Sequence, residues 1–166
     1  MRSVIVYESH FGNTKTVAEA IAAELGAAGH EVALRNVRKR FPEPPRGDIL
    51  FLGSPVRMGS VSGRVKRFLG KLDADAWKGK PLVVFTTTLK LPENATEEQK
   101  RGQEKYDRGA GRKLGDLARS AGLDAVENHL CVEVIGLKGP LVETGIESAR
   151  QFTRDLLRTL PLPHLR

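Results

Sequence analysis

From Glu8 to Thr14 the chain reads Glu-Ser-His-Phe-Gly-Asn-Thr, a run crowded with small hydrogen-bonding side chains. Such residues suit a phosphate. The Ser9 and Thr14 hydroxyls and the Asn13 amide can donate neutral hydrogen bonds, and Gly12 lets the backbone curl closely around an anion. A helix starting at this point adds unpartnered N–H groups and the positive end of its dipole. Two better-known cradles are excluded. G-x-x-x-x-G-K-[ST] needs a glycine spacing that is not found before Lys15, and G-x-G-x-x-G needs three glycines where only Gly12 stands. A terminal monophosphate therefore fits better than a pyrophosphate. The same residues also suit a simple helix cap by Asn13 or Ser9, with nothing bound, and the local residues alone leave both readings open.

Other chemistry is scarce. Cys131 is the single cysteine, so no disulfide forms within the chain and no cysteine metal cluster exists. Its setting, HLCVEV, reads as the inside of a strand and makes it a small buried hydrophobe rather than a reactive thiol. His10, His30, His129 and His164 are scattered without metal-ligand spacing, and no metal is expected. Lysine and arginine outnumber aspartate and glutamate by 27 to 20, a formal charge of +7 that favours anionic ligands or acidic partners. The densest block holds Arg35, Arg38, Lys39, Arg40 and Arg46, opposed only by Glu43.

The elements that must position these residues alternate between strand and helix. With 166 residues, 40% hydrophobic and 28% charged, the chain reads as one soluble domain over 1–166. It shows no signal-peptide pattern and no bilayer-length apolar run, and a cytoplasmic address is the default expectation. The first strand, about Ser3 to Glu8, leads to a helix with Val17, Ala18, Ile21, Ala22 and Leu25 on one face and a stop at Gly26 and Gly29. EVALRNV and the almost continuously apolar DILFLGS are the second and third strands. Between them the connector RKRFPEPPRG has too many prolines for a full helix.

A glycine-punctuated loop, GSPVRMGSVSG, then precedes a short helix through Val65, Phe68, Leu69 and Leu72. PLVVFTTT is the fourth strand. TEEQ from Thr96 reads as a capping box for a long helical region to about Ala121, weakened by Gly109, Gly111 and Gly115. VENHLCVEVIG is the fifth strand. A last helix begins near Glu143 and carries Ile146, Phe152, Leu156 and Leu157. Alternation of this kind predicts a doubly wound three-layer α/β sandwich with a parallel sheet of order 2-1-3-4-5. Its ligand site lies at the carboxyl ends of strands one and three.

With that frame in place, VIVYESHFGNTKTVAEAI resembles the flavin mononucleotide signature of the flavodoxin family, matching at Tyr7, Ser9, Gly12, Thr14 and Ala18. GSPVRMGSVSGRVKRFL is similar to the second flavin loop of flavodoxin-like NAD(P)H:quinone oxidoreductases. The resemblance implies FMN held at Ser9, His10, Phe11, Gly12, Asn13 and Thr14, with Pro55, Val56, Arg57, Met58 and Gly59 along the ring. It further implies that Gly59 supplies backbone freedom near N5 and that Arg57 favours an anionic reduced flavin. FTTTLKL resembles the family's segment after strand four, which would set Thr87, Thr88, Leu89 and Lys90 against the far side of the ring.

The departures are also informative. Flavodoxins commonly sandwich the ring between two aromatics, whereas Met58 and Leu89 stand in the comparable regions here; Phe11 and Tyr106 are either partial substitutes or, as the simpler reading has it, core or surface residues. A more open ring site is expected. Those flavodoxins are acidic and this chain is basic.

The resemblance implies an FMN-binding redox protein passing electrons through a noncovalently bound flavin. The alternatives are an FMN-dependent NAD(P)H:quinone reductase or a relative of the flavodoxin-type protoporphyrinogen oxidase, and a flavin-free module using its basic surface. Arg35, Arg38, Lys39 and Arg40, following strand two at the edge of the expected site, either attract an acidic redox protein or NADPH phosphates or are simply solvated. Nucleic acid is disfavoured because the basic residues lack interleaved aromatics.

Overall fold

A computed structural model describes residues 1–40 and 43–160. Phe41 and Pro42 of the proline-rich connector, and His164, lie outside the described residues. Strand β1 (Arg2–Tyr7) lies inside the sheet, parallel to β2 (Glu31–Asn36) at the edge on one side and to the central β3 (Ile49–Arg57) on the other. β3 pairs in parallel with β5 (Pro81–Leu89). The far edge of β5 carries two segments in succession, β6 (Asp124–Ala125) and β7 (Leu130–Val134). The resulting order, 2-1-3-5-7, is the expected 2-1-3-4-5 with the elements renumbered. The single fifth strand expected from VENHLCVEVIG is thus corrected to two short pieces separated by residues 126–129.

Helices cover both faces. Ile5, Phe51, Val83 and Phe85 point toward α1 (Asn13–Ala27) and α5 (Gly145–Thr159), whereas Val4, Val6, Leu50, Leu52, Leu82 and Val84 point toward α2 (Gly63–Gly70) and α4 (Gly109–Ser120). β1, β3 and β5 are apolar at nearly every position because side chains of both parities are buried. Each fully buried Leu, Ile or Phe contributes about 1.5–3 kcal/mol from apolar area removed from water. The α1 face follows the expected spacing, with Thr14, Val17, Ala18, Ile21 and Leu25 buried. On α5, Leu156 is buried but Ile146 is exposed, and small Ala149 and Thr153 are fully buried instead.

Two further expectations change. The loop expected from Gly53 to Gly63 is largely a β-hairpin: β3 continues through Pro55, Val56 and Arg57 and pairs antiparallel with β4 (Ser60–Val61). Met58 and Gly59 form its tip, both at positive φ (52° and 73°), as a tight primed turn requires. The long helical region is α3 (Glu97–Gly102), a π-helical turn (Gln103–Arg108) and α4 in succession. The capping box at Thr96 and Gln99 is formed. Of the α4 glycines, Gly111 serves packing, since a Cβ there would come 2.6 Å from the His129 ring, whereas Gly109 and Gly115 have nothing closer than 3.6 Å.

Candidate functional site

β1 ends at Tyr7 and the chain turns through Glu8–Gly12 into α1. The turn is held from several sides. The Glu8 N–H donates to the Gly53 carbonyl at 3.1 Å, and the Asn36 amide donates to the Ser9 carbonyl at 3.4 Å. Ser9 Oγ accepts the Gly12 N–H at 3.1 Å. Gly12 takes φ 97°, a left-handed conformation that costs a non-glycine residue about 1–2 kcal/mol. It is the N-cap residue of α1, and no side chain caps the helix. The simple-cap reading by Asn13 or Ser9 is therefore not what the structure has: the first N–H groups of α1 face outward, with the helix dipole behind them.

Beneath that helix start, buried Thr14 pairs its Oγ1 with Thr87 Oγ1 at 2.9 Å, tying α1 to the end of β5. Ser9, His10, Phe11, Asn13 and Thr14 share one open cleft with Pro55, Val56 and Arg57 from β3 and Thr87, Thr88 and Leu89 from β5. Thr87 and Thr88, at the end of the expected fourth strand, and Leu89 just beyond it all belong to β5, so their positions are fixed by sheet register. Thr88 Oγ1 is buried with no hydrogen-bond partner among the described residues, although its residue lines the cleft. Arg57 Cζ sits 5.7 Å from the Phe11 ring centroid, and His10 packs edge-on against the same ring at 4.5 Å.

Four expected residues stand apart from the cleft wall. Gly12 shapes the turn rather than lining it. Met58 projects wholly into solvent at the hairpin tip. Gly59 lies against Tyr106, where a Cβ would come 2.9 Å from the Tyr106 Cβ. Tyr106 is therefore part of the hairpin's support and does not substitute for a ring-stacking aromatic. Lys90 is exposed and uses its backbone N–H to reach the Val134 carbonyl at 2.9 Å.

The loop after β7 was missed. There Ile135 N–H donates to the Pro140 carbonyl at 2.7 Å, folding the chain back so that Val134 and Leu137 line the cleft. Lys138 Nζ lies 5.9 Å from the Phe11 ring, and Gly139, at φ 93°, lies against the Asn13 side-chain amide. The signal was available. In a parallel sheet every carboxyl-end loop faces the same way, and Gly-Leu-Lys-Gly-Pro after the last strand reads as a turn.

Of the basic block, Arg38 reaches Glu8 Oε1 at 3.3 Å, near the cleft. Arg35 is corrected: it lies within β2, beside Arg2, Pro44 and Arg46 in a separate hollow. Cys131 is half-buried in β7, and burial pushes its thiol pKa up, consistent with a packed rather than reactive side chain. No helix among the described residues is long and apolar enough to cross a membrane.

Known proteins share this arrangement. The Flavodoxin domain family matches residues 4–127. A 76-residue stretch is 37% identical to the flavodoxin of Aquifex aeolicus (strain VF5), covering 45% of this chain and 41% of that one. An alignment of 110 positions to the NAD(P)H dehydrogenase (quinone) of Paracoccus denitrificans (strain Pd 1222) is 28% identical and covers 51% of this chain and 53% of that one. The chain thus spans about half the length of the curated relatives it matches. A solved flavodoxin from the domain Archaea superposes with a TM-score of 0.68 over 95% of this chain and 97% of its own, at 15% identity, a likeness of fold. A family match over residues 4–127, on a sheet of this order with its cleft at the carboxyl ends of β1 and β3, places the chain in the flavodoxin family.

Proposed function

We propose that this protein binds FMN noncovalently in the cleft and passes electrons through it. The observation that carries the reading is the start of α1, which opens onto the cleft with no side-chain cap and is flanked by Ser9, Asn13 and Thr14. Those groups would hold the phosphate without a cation, as neutral donors at a helix N-terminus do. Pro55, Val56 and Arg57 on one side and Thr87, Thr88 and Leu89 on the other would face the ring, with Val134 and Leu137 closing the third. The unpartnered Thr88 hydroxyl supports a polar ligand there, because a buried hydroxyl without a partner costs about 1–3 kcal/mol. Bound FMN would supply reversible one- and two-electron chemistry. Arg57 adds positive charge at the wall, which favours negative charge on the ligand.

The test is the visible spectrum of the protein after incubation with FMN and desalting. Retained flavin bands support the reading, and a colourless protein that also fails to quench FMN fluorescence overturns it. Asn13→Asp sharpens the test. An acid in the first turn stabilises the helix by about 0.3–1 kcal/mol, yet it repels a phosphate. The expected result is unchanged or higher thermal stability with FMN affinity lower by about a hundredfold, roughly two charge-assisted hydrogen bonds.

A second reading, a two-electron reductase rather than a carrier, is favoured by the cleft's rim. Leu89 and Leu137 are about half exposed, and no tryptophan or tyrosine lines the wall, which leaves room for a small-molecule partner. Bleaching of the flavin by NADPH without a protein donor would establish it.

A further inference from the structure

Next to the cleft lies another, and Pro55 and Arg57 form the wall between them. This second cleft is open and lies between β3, β4 and the start of α2. Arg57, Arg64 and Arg67 line it together with Ser60 and Ser62. Its one lining acid among the described residues is Glu8, almost fully buried. Glu8 Oε1 is shared between Arg38 at 3.3 Å and Arg64 at 3.5 Å, both long for charge-assisted bonds. Neither Arg57 nor Arg67 has a carboxylate within 4.0 Å among the described residues. Ser62 already caps α2 by accepting the Arg64 and Val65 N–H groups, so the positive character rests on guanidinium groups and not on an open helix end.

Three arginines, Arg57, Arg64 and Arg67, therefore line one cleft with a single carboxylate, and Arg57 and Arg67 have no carboxylate partner among the described residues. A structural ion pair explains Arg38 and Arg64. It leaves the charges of Arg57 and Arg67 on the same cleft without a carboxylate partner. Arginine holds planar, multiply charged oxygen groups in a fork, and converging arginines raise the local concentration of such anions.

We propose that this arginine-lined cleft is an anion site that takes the phosphate or clustered carboxylate group of the small molecule exchanging electrons with the flavin. Its role rests on the flavin reading, because Arg57 belongs to both clefts and would bring the anchored molecule to the flavin's edge. Glu8 acts as a built-in competitor. It occupies Arg38 and Arg64 weakly and yields them when a more highly charged group enters.

The experiment is calorimetric titration of the FMN-loaded protein, at low salt, with sodium pyrophosphate and separately with tricarballylate. One of the two is expected to saturate a single site, and which one does identifies the anchoring group as phosphate or carboxylate. Arg67→Gln, on the exposed side of α2, should weaken that anion about tenfold, and Arg57→Gln similarly. Glu8→Gln, nearly isosteric, should tighten it several-fold. Failure of both anions to saturate overturns the proposal, as does an unaltered affinity in Arg67→Gln. Should Glu8→Gln lose its fold by circular dichroism, the two arginine variants decide the matter alone.

If the protein retains no FMN, the same titration is run on flavin-free Ser9→Asp, whose first cleft repels anions. Binding that still depends on Arg67 keeps the anion site while the flavin reading falls. Loss of that dependence removes the anion site as well.

Discussion

His30 Nδ1 lies 2.7 Å from the hydroxyl of fully buried Ser3, where β1 begins. Burial, and secondly the charge of the chain's amino terminus, lower the His30 pKa below its ordinary 6.5. The folded protein thus binds this proton less readily than the unfolded chain. Stability from this group is complete above pH 6.5 and declines as pH falls through the window below it. Urea midpoints should drop between pH 7 and pH 5, and His30→Gln should flatten that slope; an equal slope in both proteins would refute the assignment. At this scale the sequence was readable where one residue type has one use, as at Gly12, whose positive φ admits little else. It was not readable at Glu8, because its arginine partners lie 30 and 56 residues away.

The elements were legible where periodicity carries the signal. Val17, Ala18, Ile21 and Leu25 mark the buried face of α1, and the unbroken apolar runs of β3 and β5 mark strands covered on both sides. Hidden from that signal was the hairpin at Met58–Gly59, where β3 outlasts its apolar run and is held by pairing. Ser54 helps to form it: its hydroxyl accepts the Ser62 N–H at 2.8 Å, so one buried residue fixes both the hairpin return and the entry to α2. The preceding Gly53 has another task. A Cβ there would overlap the Phe85 ring, so β3 and β5 pack with the aromatic directly over glycine. Gly53→Ala should destabilise by about 1–3 kcal/mol as overpacking, measured by denaturant midpoint. A change below a few tenths would mean that Phe85 moves aside freely.

For the molecule as a whole, alternation and handed crossovers left few arrangements, and the order expected among them, 2-1-3-4-5, is the one the sheet has. The two-piece far edge was not expected, since residues 126–129 look strand-like until Gly111 and His129 are seen to claim the same space. The cleft was two-thirds foreseen: its first two walls carry motifs, whereas the third, Val134 and Leu137, consists of ordinary hydrophobes given meaning only by where β7 ends. The π-helical turn at Gln103–Arg108 has a mechanical consequence for this architecture. Such a turn sets the angular phase between the helical segments on either side of it. Gln103, at its start, donates its side-chain amide to the Leu89 carbonyl at 2.7 Å, gripping the strand end that forms the cleft rim. Gln103→Ala would remove that grip while leaving the winding of the turn unchanged. The amides of α3 should then exchange with solvent at least about tenfold faster while those of α4 keep their protection. The turn thus acts as a phase adjuster, letting a helix seated on the sheet also clasp the lip of the cleft.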